Sequence, residues 1–233
     1  MYVPQQSVSI VVPTFNEHAN IRPLAARIFT SLSPADCELL IVDDDSPDGT
    51  AAECAAAAAE HGWPLRCIVR RGERGLATAV ICGLREARGE LIVSLDADLS
   101  HPPEAIPALL EALRDPAVNM AIGSRFVPGG RVDLHWPLHR RLNSLAGRLL
   151  ARPLTPVRDM MSGFFAVRRS DLHLESLNPT GYKIALELIV RHRWKNVVEV
   201  PITFADRAAG KTKLSVAEQL RYLRHLWRLY RCR

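Results

Sequence analysis

Four times in its first half the chain runs from a short apolar segment into a helical period. No other feature narrows the fold as much. Residues 7–12, 38–42, 65–69 and 90–95 read as buried strands. Helical patterns follow them, through about Leu32, Glu60, Ala87 and Arg114. Residues 118–122 give a further strand, closed by Gly123-Ser124-Arg125. Strands that alternate with helices form a mostly parallel sheet, so the fold class is α/β. Thr50 and Glu53 read as a capping box, and Pro102 and Pro103 suit the first turn of the helix after them.

The second half is less regular. Pro128-Gly129-Gly130-Arg131 reads as a loop, and 139–151 as a helix carrying Arg140, Arg141 and Arg148. A strand is expected over 162–168, a helix over 182–191, a strand over 197–204 and a last helix over 215–230. This divides the chain into a main domain at 1–214 and a C-terminal basic amphipathic helix at 215–233.

Composition excludes several classes. The chain has 233 residues, 48% of them hydrophobic, and no apolar run long enough to span a bilayer. Five scattered cysteines without a Cys-x-x-Cys argue for reduced core thiols rather than a disulfide frame or a zinc site. No secretory leader is evident, so a cytoplasmic location is the expectation. The net charge is +5, but residues 207–233 alone carry +7, leaving about −2 on the rest. A basic tail on a near-neutral body points to an anionic partner.

The chemistry gathers at strand ends. Asp96-Ala97-Asp98 closes the fourth strand, and on extended backbone positions i and i+2 point to one side. Two such carboxylates in an open site suit Mg2+ or Mn2+, which retain waters and accept substrate phosphates. They also suit the plainer role of capping the next helix. Ligands of parallel sheets bind beyond the carboxyl ends of the strands. The loops at 13–17, 43–48 and 96–98 all belong to that edge. His101, beside the paired aspartates, suits either ligand contact or a role at the helix start.

No Gly-x-Gly-x-x-Gly follows the first strand, which leaves a dinucleotide fold unsupported. Gly210-Lys211-Thr212 lacks the earlier glycine of a P-loop, because position 205 is Ala205. The histidines show no metal-ligand spacing. Nucleic-acid binding by the tail lacks interleaved aromatics, and none is expected.

Six segments in order, over about 7–215, resemble glycosyltransferase family 2 and, within it, the dolichol- and polyprenol-phosphate mannose synthases. They are Val12-Pro13-Thr14-Phe15-Asn16-Glu17, Val42-Asp43-Asp44-Asp45-Ser46-Pro47-Asp48-Gly49-Thr50, Gly75-Leu76-Ala77-Thr78-Ala79, Asp96-Ala97-Asp98-Leu99-Ser100-His101-Pro102-Pro103-Glu104, Gly123-Ser124-Arg125 and Val200-Pro201-Ile202-Thr203-Phe204. The resemblance implies a GT-A fold, a Rossmann-like sheet flanked by helices. It also implies a GDP-mannose donor, a divalent metal and a polyprenyl monophosphate acceptor.

Residue by residue, the resemblance gives Pro13, Phe15, Glu17, Val42 and Asp44 to the nucleobase and ribose. It gives Asp96, Ala97 and Asp98 to metal and diphosphate, with Ser100 where some members place a glutamine ligand. Arg125, Arg207 and Lys213 match the basic residues that grip phosphates. Arg140 or Arg141 fits a basic residue of an interface helix, and Lys183 lies in a motif near the acceptor. Phe15 stands where tyrosine is frequent, which removes a hydroxyl.

A phosphate acceptor is already ionised near neutral pH, its second pKa being about 6. Attack on the sugar then needs no general base. The alternatives are another donor such as UDP-glucose, another lipid acceptor, or a nucleotide-binding scaffold subunit. In the last helix, Val216, Leu220, Leu223, Leu226, Trp227 and Tyr230 share one face at helical period, flanked by arginines. That face suits either an anionic lipid surface or packing on the body. Relatives carrying transmembrane segments beyond this point imply peripheral membrane contact here, or a membrane-anchoring partner protein.

Overall fold

The computed structural model describes residues 7–132, 138–177, 183–205 and 216–232; for 138–144, 176 and 216–218 the description is of the main chain. The first half follows the expected alternation: β1 (Val8–Thr14), α1 (His18–Ser31), β2 (Cys37–Asp43), α2 (Thr50–His61), β3 (Leu65–Val69), α3 (Leu76–Glu86), β4 (Leu91–Ser94), α4 (Ile106–Ala112) and β5 (Met120–Ser124). The remainder comprises β6 (Arg131–Val132), α5 (Leu138–Ala151), β7 (Phe165–Arg168), α6 (Ile184–Arg191), β8 (Val197–Pro201), β9 (Thr203–Phe204) and α7 (Val216–Tyr230).

Seven strands form one sheet in the order β3-β2-β1-β4-β7-β5-β8, and β6 pairs with β9 in a small second sheet. All pairings in the large sheet are parallel except those of β7, which runs antiparallel between β4 and β5. The expected single strand over 197–204 is therefore two, β8 and β9, which belong to different sheets. Because β7 reverses, its first residue lies at the same sheet edge as the last residues of β1, β2, β4 and β5. The second half of the chain thus returns to the edge where the first half ends.

Alternate residues of each strand enter opposite cores, as a pleated strand between two helical layers requires. Ile10, Val12, Leu39, Ile41 and Val93 face α1, α2 and α4. Val11, Leu40, Val42 and Ile92 face α3 and α6, with Leu226 and Leu229 of α7 on the same side. Helix α3 lies so close to the sheet that a β-carbon on Gly83 would stand 2.2 Å from a methyl of Val11. Only glycine allows that approach.

The expected capping box at α2 does not form. Gly49 precedes the helix in a left-handed conformation, and the Asp48 carboxylate accepts the Thr50 amide at 3.0 Å and its hydroxyl as well. Thr50 Oγ1 accepts the Glu17 N–H, while Glu53 pairs with Arg22. The cap residues are spent on joining loops.

Helix α7 divides its apolar side. Leu226 and Leu229 are buried on the body, Tyr222 donates to the Gly147 carbonyl at 2.7 Å and Tyr230 to that of Leu150 at 2.6 Å. Leu220, Leu223 and Trp227 remain exposed, Trp227 by 61%. The face expected from spacing is thus two stripes, one packed and one open. Between α6 and α7, His225 and Glu187 are both buried, with Nε2 and Oε2 2.6 Å apart. Among the described residues no helix is long and apolar enough to cross a membrane.

Candidate active site

The loops that leave β1, β2, β3 and β4 meet at one edge and are laced together by their own polar groups. Thr14 Oγ1 donates to Asp43 Oδ1 at 2.8 Å, and Ser46 donates to the same carboxylate through its amide and its hydroxyl. The Asn16 N–H reaches Ser46 Oγ at 2.9 Å. Asp44 receives Arg70 Nε at 2.8 Å and the Gly75 N–H at 2.7 Å, with Arg70 Nη2 on the same carboxylate. Asp48 accepts the His18 N–H at 3.1 Å. Three of the four aspartates in this segment thus fix loop geometry. Asp45 is exposed.

Three non-glycine residues with left-handed backbone fall in these loops: Asn16 (φ 60°), Asp45 (φ 54°) and Leu99 (φ 61°). One follows β1, one β2 and one β4, which are adjacent in the sheet. Such conformations cost on the order of 1–3 kcal/mol each and cluster where a site demands them. Leu99 turns the chain between Asp98 and Ser100.

Asp96 keeps about a third of its side chain exposed (34%), whereas Asp98 is buried. The Asp98 carboxylate accepts the Ser100 N–H at 3.2 Å and the Ser100 hydroxyl through the same oxygen. Ser100 is fully buried, so its hydroxyl orients Asp98 from behind. His101 is also behind the pair: its Nδ1 accepts the Asp96 N–H at 3.3 Å, and its ring packs on Phe164 and Phe204 at 5.4 and 5.2 Å. Burial lowers its pKa, with the nearby Asp96 acting in the opposite direction. A neutral His101 that accepts through Nδ1 carries its proton on Nε2. A histidine–carboxylate pair does therefore stand at the site, but in a supporting role. Gly163, just before β7, presses on Asp96 from the other side: a β-carbon there would lie 3.0 Å from Oδ1.

The residues that the resemblance gives to the nucleotide sugar lie along this edge. Phe15 and Glu17 are half-buried, and the Arg74 guanidinium lies 4.7 Å over the Phe15 ring. Glu17 accepts from Asn20 Nδ2 at 2.7 Å. Pro13, Val42 and Ala97 are buried. Val42 points into the core beneath α3, which leaves its main chain as the part nearest the edge. Arg125 sits across the edge from Asp96. Its Nε and Nη2 grip Asp159 at 2.8 and 2.7 Å, its own N–H donates to the same carboxylate at 2.9 Å, and its guanidinium lies 5.0 Å from the Phe204 ring centre. Asp159 is fully buried, and Glu199 of β8 accepts its N–H at 2.9 Å.

Lys183 stands at the start of α6 and is half-buried. Arg140 and Arg141 lie on α5, where only the main chain is described, and Arg207 and Lys213 lie outside the described residues. Arg70, Asp159, Gly163 and Glu199 were not anticipated. Arg70 had a signal, since it directly follows the third strand at the ligand edge. The others had none.

Among the described residues no cluster of three or more His, Cys, Asp or Glu side chains stands ready to hold a metal. The donor set is instead the half-exposed Asp96 beside the well-oriented Asp98. Two carboxylates at an open edge fit Mg2+ or Mn2+, which take few protein ligands and complete their shell with water and substrate phosphate.

The family model for Glycosyl transferase family 2 matches residues 9–175. The chain is 42% identical over 226 residues to a dolichol-phosphate mannosyltransferase from Pyrococcus furiosus, covering 95% of this chain and 63% of that one. It is 43% identical to the Saccharomyces cerevisiae dolichol-phosphate mannosyltransferase, covering 95% and 86%. It is also similar in structure to glucosyl-3-phosphoglycerate synthase from Mycobacterium tuberculosis, solved with Mn2+, UDP and glucosyl-3-phosphoglycerate. That similarity has a TM-score of 0.71 at 20% identity, over 97% of this chain and 78% of that one. A mannosyltransferase from Pyrobaculum calidifontis, solved with GDP-Man and Mn2+, gives 0.69 at 22%, over 97% and 64%. The fold is that of the GT-A glycosyltransferases, and the chain belongs to glycosyl transferase family 2.

Proposed function

We propose that the protein transfers mannose from GDP-mannose to a polyprenyl monophosphate, with inversion, to give a β-mannosyl phosphate. The observation that carries this reading is the Asp96–Asp98 pair at the β4 edge, oriented by Ser100 and His101, in a chain so similar to dolichol-phosphate mannosyltransferases.

The residues divide the work. Phe15, Glu17 and the main chain at Val42 and Asp44 line the nucleotide side. Asp96 and Asp98 would hold Mg2+ or Mn2+, which when bound supplies charge to stabilise the departing diphosphate. Arg125 presents a guanidinium fixed by Asp159 to the same region, an arrangement that stabilises developing charge without reorganising. Arg207 and Lys213 belong in this reading as further phosphate-gripping residues, and Arg140, Arg141 and Lys183 as acceptor-side groups. His101 is buried and neutral behind Asp96, which suits an acceptor that needs no general base.

We infer a peripheral location at a membrane surface, supported by the exposed Leu220, Leu223 and Trp227 beside Arg221, Arg224, Arg228 and Arg231. A membrane-anchoring partner is the alternative. The test of the reaction is incubation with GDP-mannose or UDP-glucose, Mn2+ or Mg2+ and a short polyprenyl phosphate, with product identification. Mannosyl phosphate formation abolished in Asp96→Ala and reduced in Arg207→Ala supports the reading; glucose transfer alone, or no transfer, overturns it.

A further inference from the structure

Two of the five cysteines face each other in the layer between α2 and the sheet. On α2, the buried residues Thr50, Cys54 and Ala57 recur at helical spacing, and Cys54 is fully buried. On β3, Cys67 stands in register with Ile41 of β2, so the two side chains leave the sheet on the same side. Ile41 and Cys54 belong to the core beneath α1, α2 and α4, and Cys67 packs against it. Ile68, one residue further on, packs against the opposite core. The two sulfurs meet in that layer, where the Cys54 S–H donates to the Cys67 sulfur. Both are free thiols.

The pair is asymmetric. Cys54 has no exposed surface, whereas Cys67 is half-buried on a strand at the margin of the sheet. The hydrogen bond from Cys54 holds the Cys67 thiol below its ordinary pKa, against the effects of burial and of the Asp43 carboxylate. The same hydrogen bond raises Cys54, and burial adds to the rise. The thiolate, not the thiol, is the nucleophile, so Cys67 is the member that reacts first. Two other cysteines differ. Cys37 donates to the Ser33 carbonyl at 3.4 Å, and burial with the nearby Asp36 pushes it up to about 11. Burial also raises Cys82.

We propose that Cys54 and Cys67 form a reversible redox site, which a hydroperoxide closes to a disulfide between α2 and β3. The Cys67 thiolate attacks one oxygen of hydrogen peroxide. The O–O bond breaks, and the departing hydroxide takes up a proton and leaves as water. Cys67 is then a sulfenic acid, its sulfur oxidised by two electrons. The Cys54 sulfur gives up its proton and attacks the Cys67 sulfur, the S–O bond breaks, and a second water departs. Two thiols and one peroxide become one disulfide and two waters, and a dithiol reductant reverses the change. The link joins two elements that feed the ligand edge: α2 begins at Thr50, which accepts the Glu17 N–H, and β3 leads into Arg70, which holds Asp44.

The test uses the full chain with Cys232→Ser, which removes the exposed terminal thiol from intermolecular exchange. The protein is treated with hydrogen peroxide, and its thiols are mapped by peptide mass spectrometry. The expected product is a linked Cys54–Cys67 peptide, lighter by two hydrogens and restored by dithiothreitol, with Cys37 and Cys82 still reduced. With dimedone present, Cys54→Ser should stop at a trapped sulfenic acid on Cys67, and Cys67→Ser should leave Cys54 unmodified. In urea the selectivity should be lost, with disulfides scattered over the four remaining cysteines.

Native protein that yields no Cys54–Cys67 link, or the same scatter as the chain in urea, overturns the inference. So does oxidation of Cys54 when Cys67 is replaced by serine. The comparison of native and unfolded chain needs neither serine substitution at the pair, so it decides the matter even where such a variant misfolds. None of these outcomes depends on the sugar or the acceptor of the proposed reaction.

Discussion

The α-carbon of Gly163 faces the Asp96 carboxylate closely: a β-carbon would lie 3.0 Å from Oδ1, a contact that only a shift of the carboxylate or the loop would relieve. The loop entering β7 therefore limits where the carboxylate proposed to face the metal can stand. Gly163→Ala is expected to turn Asp96 away and weaken Mn2+-dependent GDP binding by about tenfold, with little change in thermal midpoint. Calorimetric titration of GDP with Mn2+ checks this. Unchanged affinity would mean that the loop yields and the carboxylate does not.

Arg125 and Asp159 form a pair in which the carboxylate is fully buried and the arginine side chain is 12% exposed. Removing one member of such a pair leaves the other uncompensated, at a cost of about 3–5 kcal/mol. Asp159→Leu should destabilise the protein by about that amount in urea unfolding. The double variant Arg125→Met with Asp159→Leu should recover much of the loss, because apolar replacement of both partners is often near neutral. Additive losses would show that the two residues do not act as a pair.

Glu38 carries a pH dependence. Burial raises its pKa, but Arg66, the Ser9 hydroxyl and the Arg88 N–H together outweigh this and hold it below the ordinary 4.5. A carboxylate depressed in the folded state contributes stability that is complete above the unfolded value and lost as pH falls through the folded one. Glu38→Gln should therefore be less stable than wild type at pH 7, and the gap should close as pH falls below 4.5. Urea midpoints measured at several pH values check the sign, and a gap that widens in acid would contradict it.

Trp227 is 61% exposed on α7. If the open stripe meets lipid, Trp227→Ala together with Leu223→Ala should lose flotation with vesicles containing anionic phospholipid and leave thermal stability unchanged, since neither side chain is buried. Wild type failing to float would remove the membrane reading.

The sequence was most informative where one physical period dominated. Buried strands such as 38–42 and 90–95 were legible because apolar runs ended in turn residues, and β2 and β4 stand there. The paired aspartates were legible because they end such a run. What escaped was whatever depended on residues far apart in the chain. Nothing at Asp159 marks it as the partner of Arg125, 34 positions away. Nor does anything near Phe165 say that this strand would reverse and enter between β4 and β5. The α7 helix was half legible: its period was evident, but spacing alone does not tell which apolar stripe finds a neighbour. At α2, Thr50 and Glu53 satisfied the capping pattern, yet Asp48 and Arg22 outcompeted it.

Strand β7 has a consequence for how such a chain can diversify. Between Ser124 and Phe165 the polypeptide departs from the large sheet and comes back to the edge it left, one strand nearer the centre. The excursion is pinned at both feet, by Arg125 and Gly163. Its described interior also joins the core, through Ala151, Val157 and Met160 packed with Val11 and Val42, so exchange is easiest in the stretches that do not carry those contacts. On the proposed reaction, selection for a new recipient of the sugar can act on those stretches with least disturbance of the strands beneath the paired aspartates.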